Sequence, residues 1–400
     1  MSDLHYAAET LQEVDRCFGF AVEDAIARKV DVAIITGDST DHRMDAHAPA
    51  LLALAHRIKQ LADHCPVLML QGTFSHEPSG LLRMFELIGA KHPITVSDRI
   101  ERIGLRDGAW RRLPMFDPHF DPIGMQLVVT SLPTVNRADL VTALGADKAS
   151  AQGMGDTLFE IMQGFAPGNA FAAASGIPTV AISHGTVHGC MTEHGVPMAG
   201  LDHEFTTAAL FSMRTVASMI GHIHAHQSWQ NDHDGMHQVI AYPGSIGRLH
   251  YGEQGDKNYL VWNVAAKSAS FEAVPTPAKR MVDVFFDGPP DMEVIKARAP
   301  ECANAFVRVR YCVDEEYAAS VDREAIRQAL GSATQIKIEA KVLPVQRQRC
   351  AGITTLSLED RLTKWGEQTN TSVTGLLERL PMLHNQEPEV IAQRSIEASA

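Results

Sequence analysis

Met219-Ile220-Gly221-His222-Ile223-His224 is the stretch on which the reading of this chain turns. The apolar residues Val216, Ala217, Met219 and Ile220 read as a buried strand, which stops at a glycine followed by two histidines. Side chains at i and i+2 of extended backbone point the same way, so His222 and His224 can face one pocket at the strand's end. Imidazole is the commonest transition-metal ligand, and such a pair is half of a metal site. Alone it carries little weight. Four other segments supply what it lacks.

Asp3 and His5 share the same i, i+2 spacing ahead of a helix running from Thr10 to about Lys29. Thr10 and Glu13 form a capping box for that helix, and Leu11, Val14, Phe18, Val22 and Ile26 form its apolar stripe. Val32 to Ile35 reads as a buried parallel strand ending in Thr36-Gly37-Asp38. A helix from Pro49 to Asp63 follows, then a strand Val67 to Leu70 that ends in Gln71-Gly72-Thr73-Phe74-Ser75-His76-Glu77. Pro178 to Ser183 is another buried strand, ending at His184-Gly185. This βαβ rhythm predicts a mainly parallel sheet with polar residues gathered at the carboxyl ends of its strands.

At 400 residues, 45% hydrophobic and 21% charged, the chain has the composition of an ordinary globular protein with room for more than one domain. Its net charge of -13 does not advertise a nucleic-acid binder, although bound divalent cations and local patches can carry such contacts. The six cysteines are scattered without a Cys-x-x-Cys pair, which points to reduced thiols in a cytoplasmic compartment. No apolar run has the length of a membrane span. The pattern changes at Pro275-Thr276-Pro277. The expected organisation is a main domain over 1–276, a small α/β domain over 277–350, a two-helix tail over 351–385 and a disordered end over 386–400. The tail has too little apolar surface for a core of its own, so it is expected to dock on a partner.

The chemistry follows from the donor types. Two divalent ions need a bridging carboxylate flanked by histidines and oxygens, and Asp38 is the natural bridge. A histidine off the metals then serves as general acid or charge stabiliser, a role that fits His76. The segment Arg99 to Arg112 carries five arginines around Trp110. It reads equally as a nucleic-acid surface, with Arg106, Trp110, Arg111 and Arg112 as contacts, or as a solvated hairpin.

Asp3-x-His5, Gly37-Asp38, Ser75-His76-Glu77, His184-Gly185 and Gly221-His222-x-His224 together resemble the signature of calcineurin-like metallophosphoesterases. Tyr242-Pro243-Gly244-Ser245 and Gly252-Glu253-Gln254-Gly255-Asp256-Lys257 narrow the likeness to the SbcD-type DNA-repair nucleases. The resemblance implies a four-layer αββα sandwich with a small α/β capping domain and a C-terminal helical tail. It implies Asp3, His5, Asp38 and His224 as ligands of one metal and Asp38, His184 and His222 as ligands of the other, with His76 catalytic. Two Mn²⁺ ions, cleavage of DNA ends and single strands, an SbcC-type coiled-coil ATPase bound by the tail helices, and a homodimer built on the first two helices complete the expectation. Small-substrate phosphatase or phosphodiesterase activity, or a DNA-end scaffold with a weakened site, are the other readings. The chain departs from the family in two places. Ser75 stands where the family has an asparagine ligand, so Ser75 or Glu77 is expected to replace it. Only Met1 and Ser2 precede Asp3, so a supporting strand is expected upstream of the recorded start.

Overall fold

The computed structural model describes residues 1–41, 48–134, 154–198, 204–253, 255–344, 356–383 and 390. Its helices and strands follow in chain order as α1 (Leu11–Ala27), β1 (Ala33–Ile35), α2 (Pro49–Ala62), β2 (Val67–Leu70), β3 (Ile94–Ser97), β4 (Glu101–Arg106), β5 (Ala109–Leu113) and β6 (Met125–Leu132). Next come α3 (Met154–Ala174), β7 (Thr179–His184), β8 (Thr186–Val187), β9 (Glu204–Phe205), α4 (Thr207–Ser212), β10 (Ala217–Gly221), β11 (Gln227–His233) and β12 (Met236–Tyr242). The rest are β13 (Asn258–Val264), β14 (Ala269–Pro275), β15 (Met281–Phe286), α5 (Met292–Cys302), β16 (Phe306–Asp314), α6 (Arg323–Ala329), β17 (Gln335–Leu343), α7 (Leu358–Thr369) and α8 (Thr374–Arg379).

The chain divides into two compact units, Met1–Tyr311 with Asp322–Ala340, and Cys312–Val321 with Lys341–Ala400. The first is a mixed α/β unit. Its parallel sheet β1-β2-β3 stands beside a seven-stranded mixed sheet in the order β11-β12-β10-β7-β6-β4-β5. Within the larger sheet β6, β7, β10 and β12 run parallel, and antiparallel hairpins close both edges.

Side-chain alternation explains how these sheets share their cores. Val67 and Met69 of β2 join a cluster with Val14, Phe18 and Val22 of α1 and Leu54 and Ile58 of α2. Leu68 and Leu70 point the other way and pack with Ile103, Leu127, Val180 and Ile182 of the larger sheet. A third cluster sets Leu158, Ile161 and Phe165 of α3 against Ala181, Ile220 and Ile240. A strand buried on both faces reads as a continuous apolar run, which is why Val67-Leu68-Met69-Leu70 shows no alternation. Each such buried aliphatic or aromatic side chain contributes about 1.5–3 kcal/mol.

The first six residues lie along the edge of β1. The Met1 amino group donates to the Ile34 carbonyl at 3.0 Å and Thr36 N–H to the Met1 carbonyl at 2.9 Å. Asp3 and His5 N–H then reach the Gly37 and Asp38 carbonyls at 3.1 and 3.0 Å. Asp3 therefore takes its support from the strand beside it. The expected capping box is absent: the Thr10 side chain caps no helix amide, because its hydroxyl turns back to the His5 carbonyl. Glu13 is drawn instead to Arg16 and the Lys279 amide.

The second unit carries α7 and α8. Ser357 caps α7 by accepting from Asp360 N–H, and Asn370 ends it in the left-handed conformation. Leu358, Trp365 and Leu376 are exposed. Residues 386–389 and 391–400, expected to be disordered, lie outside the described residues, as do His42, Gln254 and most of the segment joining β17 to α7.

Candidate metal centre

The histidines and carboxylates singled out in the sequence lie at or just beyond strand ends, or along the segment that β1 runs into. His184 closes β7, His222 and His224 follow β10, Asp38 lies three residues beyond β1, and Asp3 and His5 ride along that same edge. Hydrogen bonding sets His184 opposite Gly221, so the two neighbouring strands of the larger sheet deliver their histidines side by side. Donor atoms of Asp3, His5 and His224 lie within 4.8 Å of one another, as do those of Asp38, His184 and His222. Asp38 stands between the sets, with one carboxylate oxygen 3.3 Å from His184 Nε2 and 3.9 Å from His5 Nε2.

This convergence requires unusual backbone. Asp3, His5, Asp38 and His222 all have positive φ, at 50°, 48°, 51° and 101°, a region that side-chain-bearing residues enter rarely, at turns, helix ends and functional sites. Gly221 has a different task, close approach. A Cβ there would overlap the Thr36 carbonyl oxygen and the Ser2 hydroxyl, pushing the two sheets apart under the site.

The imidazoles are aimed by their outer nitrogens. His184 Nδ1 is 2.8 Å from the Thr36 carbonyl, which can only accept, so that nitrogen carries a proton and Nε2 faces Asp38. His5 turns Nδ1 toward Asp41 and sets Nε2 only 3.2 Å from His224 Nε2. A histidine whose outer nitrogen is engaged by a carbonyl or carboxylate is the usual arrangement of a metal ligand. Asp3 is held by the His222 amide, which reaches both its oxygens at 3.0 and 3.1 Å.

The electrostatics fit a cation. Burial works against the imidazolium of His184, yet the Asp38 carboxylate outweighs it and holds the pKa up at about 10. His5 is likewise raised against the effect of burial by Asp41, Asp38 and Asp3. Asp38 is lowered, since His184 and His5 overcome its desolvation. Asp3 is raised, by burial first and by the Asp38 charge. His224 is pushed well down by burial, then by His5 and Lys257, which keeps it neutral and able to ligate. Buried carboxylates that draw positive charge onto nearby imidazoles, whose inner nitrogens converge, make a donor set suited to divalent ions.

The place beside Asp38 and His184 expected for Ser75 or Glu77 belongs to Thr73. Thr73 N–H donates to Asp38 Oδ1 at 2.6 Å, and its hydroxyl lies 3.3 Å from Asp38 Oδ2 and 3.2 Å from His184 Nε2. Ser75 is exposed, because the turn after Thr73 carries it outward. Glu77 is fully buried and spends its oxygens on the Gly72 and Ser39 amides, bracing the loops that carry Thr73 and Asp38. Burial, then the Asp38 charge, raises its pKa to about 7. Glu77→Gln sets an amide donor against one of those N–H groups and should cost about 1–3 kcal/mol in urea unfolding. Unchanged stability would remove Glu77 from this role.

His76 belongs to neither of these two sets, but one of its donor atoms lies within 4.8 Å of donor atoms of His5 and Asp41, a third group with metal-ligand spacing. Its Nδ1 lies 2.8 Å from Asp41, and its ring meets the His5 ring edge to face at 4.8 Å. Asp41 was not singled out in the sequence, and neither were Glu193 and His250, which come within 4.8 Å of His224. The one available signal was Asp41 following Asp38 by three residues in a polar loop.

The arginine-rich segment forms the β4–β5 hairpin. Arg102 is fully buried and caps the Pro114, Asp117 and Phe165 carbonyls. Arg106 pairs with Asp121 and Arg112 with Glu101, Trp110 packs on the inter-sheet cluster, and Arg111 is exposed.

No known family profile matches this sequence, and no curated protein matches it. Among solved structures the chain is similar to a Staphylococcus aureus protein provisionally assigned as a 5′-nucleotidase, solved in complex with alpha-ketoglutarate. The two are 15% identical with a TM-score of 0.37, over 70% of this chain and 54% of the other. The chain thus spans about half the length of that protein. The functional reading rests on the centre itself. Among the described residues no helix is long and apolar enough to cross a membrane.

Proposed function

We propose that this protein is a metal-dependent phosphoesterase of the calcineurin-like type that hydrolyses DNA phosphodiesters at a two-ion centre. The observation that carries the reading is Asp38, which groups with His184 and His222 and also approaches His5 of the set Asp3, His5 and His224. Asp3, His5, Asp38 and His224 would hold one ion and Asp38, His184 and His222 the other, with Thr73 beside the second. Divalent ions there, taken to be Mn²⁺, supply electrophilic charge to the phosphate and activate water. The protein's part is to fix the donors and exclude competing protons. Asp41 holds His76 through Nδ1, and His76 would be the residue that passes a proton to the leaving oxygen. The three core clusters support a four-layer αββα arrangement. The exposed apolar residues of α7 and α8 fit docking on a coiled-coil ATPase of the SbcC type, and exposed Phe20 and Leu52 on α1 and α2 suit a homodimer.

DNA rather than a small ester rests on the resemblance of the 242–245 and 252–257 motifs. A small phosphate ester is the second reading, favoured by Arg106 and Arg112 being already paired with carboxylates. The test is hydrolysis of labelled single-stranded and blunt duplex DNA with Mn²⁺, beside p-nitrophenyl phosphate. His76→Ala should lower the rate about 10²–10⁴-fold while metal content stays unchanged. Turnover of the small ester alone would establish the second reading, and no metal-dependent turnover of either substrate would overturn both.

A further inference from the structure

His224 belongs to two groups of donors. Besides Asp3 and His5 it meets Glu193 and His250, and one donor atom from each of Glu193, His224 and His250 lies within 4.8 Å of the others. Neither Glu193 nor His250 has a part in the phosphoesterase reading. Both are carried to His224 by built structure. Glu193 lies in a tight hairpin, where Thr192 N–H donates to the Val196 carbonyl at 2.8 Å and Met198 N–H to the Cys190 carbonyl at 2.9 Å. The side-chain amide of Gln227 on β11 clamps that hairpin, accepting from Met191 N–H and donating to the Met191 carbonyl, each at 2.9 Å. His250 is held by the buried Glu253–Lys257 pair: Glu253 accepts from the His250 amide while Lys257 donates to the His224 carbonyl. One ion pair thus sets both histidines. Their rings are nearly parallel, 16° apart in plane, with centroids at 6.3 Å.

These three donors are uncommitted, unlike others nearby. His184 Nδ1 meets the Thr36 carbonyl, His76 Nδ1 meets Asp41 and His226 Nδ1 the Tyr242 carbonyl. Among the described residues His224 Nδ1 is buried without a hydrogen-bond partner. Nor does the Glu193 carboxylate or the His250 ring have a hydrogen bond among them, His194 standing 3.6 Å from Glu193. We infer that Glu193, His224 and His250 form a further site for a single transition-metal ion of the zinc class. Two imidazoles and a carboxylate are the donor set of zinc sites that keep a water in the fourth position. Nitrogen donors also favour such an ion over magnesium or calcium, which take oxygen. His250 is exposed, so the ion has a path from solvent. A neutral imidazole offers one lone pair, so an ion seated here takes His224 from Asp3 and His5. On the proposed reading of that set the two placements exclude each other, and a zinc-class ion at this site opposes turnover. The site itself does not depend on that reading.

The test titrates Co²⁺, a stand-in for zinc with visible absorption, into full-length Asp38→Asn, alone and combined with Glu193→Gln or His250→Ala. Asp38→Asn removes the carboxylate on which the two-ion centre turns and leaves the further site intact. It should bind Co²⁺, and in each double variant one Co²⁺ per chain should be lost or held at least about 10-fold more weakly, the least that losing even a ligand's own hydrogen-bond partner costs. Glu193→Gln and His250→Ala alter side chains that reach solvent, so each alone should likewise take one ion from the parent protein without changing its unfolding in urea. Co²⁺ held equally tightly with and without Glu193 and His250, or no Co²⁺ bound in either background, overturns the proposal. A protein that shows this dependence on Glu193 and His250 but no metal-dependent turnover keeps the site and loses only the proposed activity.

Discussion

Asp38→Asn is expected to lower metal-dependent turnover at least about 10³-fold, since an ion's contribution is several kcal/mol and each 1.36 kcal/mol is tenfold in rate. Asp38 is 2% exposed and meets donors from three segments: the Thr73 amide and hydroxyl, His184 and His5. Asparagine keeps the shape and the oxygen that accepts from Thr73 N–H, so the fold should survive. It removes the charge that serves both donor sets. Metal titration by calorimetry should therefore show the loss of at least one ion per chain along with the rate. An Asp38→Asn protein that binds both ions and turns over at the parental rate would refute the bridging role.

Lys257→Met is expected to cost about 3–5 kcal/mol of folding stability. Its side chain and that of Glu253 are 1% and 0% exposed and form an ion pair at 2.5 Å. Lys257 also donates to the His224 carbonyl at 2.9 Å, while Glu253 accepts from the Leu249 and His250 amides. Methionine fills the space but leaves a buried carboxylate without its cation and the His224 carbonyl with only the Ser245 amide, at 3.3 Å. A double variant, Lys257→Met with Glu253→Gln, should recover part of the loss, because the uncompensated charge is gone while the amide contacts are only partly replaced. Urea unfolding separates the two variants. A loss under 1 kcal/mol for the single change would mean that the pair adds nothing to the fold. Metal affinity is the second readout, since His224 is held in place through this contact.

Asp38, His184, His222 and His224 were legible because each follows an apolar run whose end is marked by glycine or a change of polarity, as at Ile220-Gly221-His222 and Ile35-Thr36-Gly37-Asp38, while Asp3 and His5 showed only their i, i+2 spacing. Local periodicity also placed α1 and α2 within a few residues. What it could not convey depends on the path of loops and on partners distant in sequence. Thr73 and Ser75 are two residues apart, yet only the turn between them puts one against Asp38 and the other in solvent. Thr10 and Glu13 have the spacing of a capping box, but His5 and Lys279 compete successfully for their side chains. Arg102 looked like its exposed neighbour Arg111 until the Phe165 carbonyl, 63 residues away, was seen to accept from it. Division into two sheets was hidden as well, since a strand buried on both faces gives the same apolar run in either.

The His222 amide that holds Asp3 lies 219 residues further along the chain, the same interval that separates His224 from His5. During synthesis at 5–20 residues per second, the first donors emerge roughly 10–40 s before the last. For that interval Asp3 and His5 lack His222 and His224, which complete their surroundings in the folded chain. On the proposed reading, metal capture would be a late event, reporting that residues far apart in the chain have been brought together.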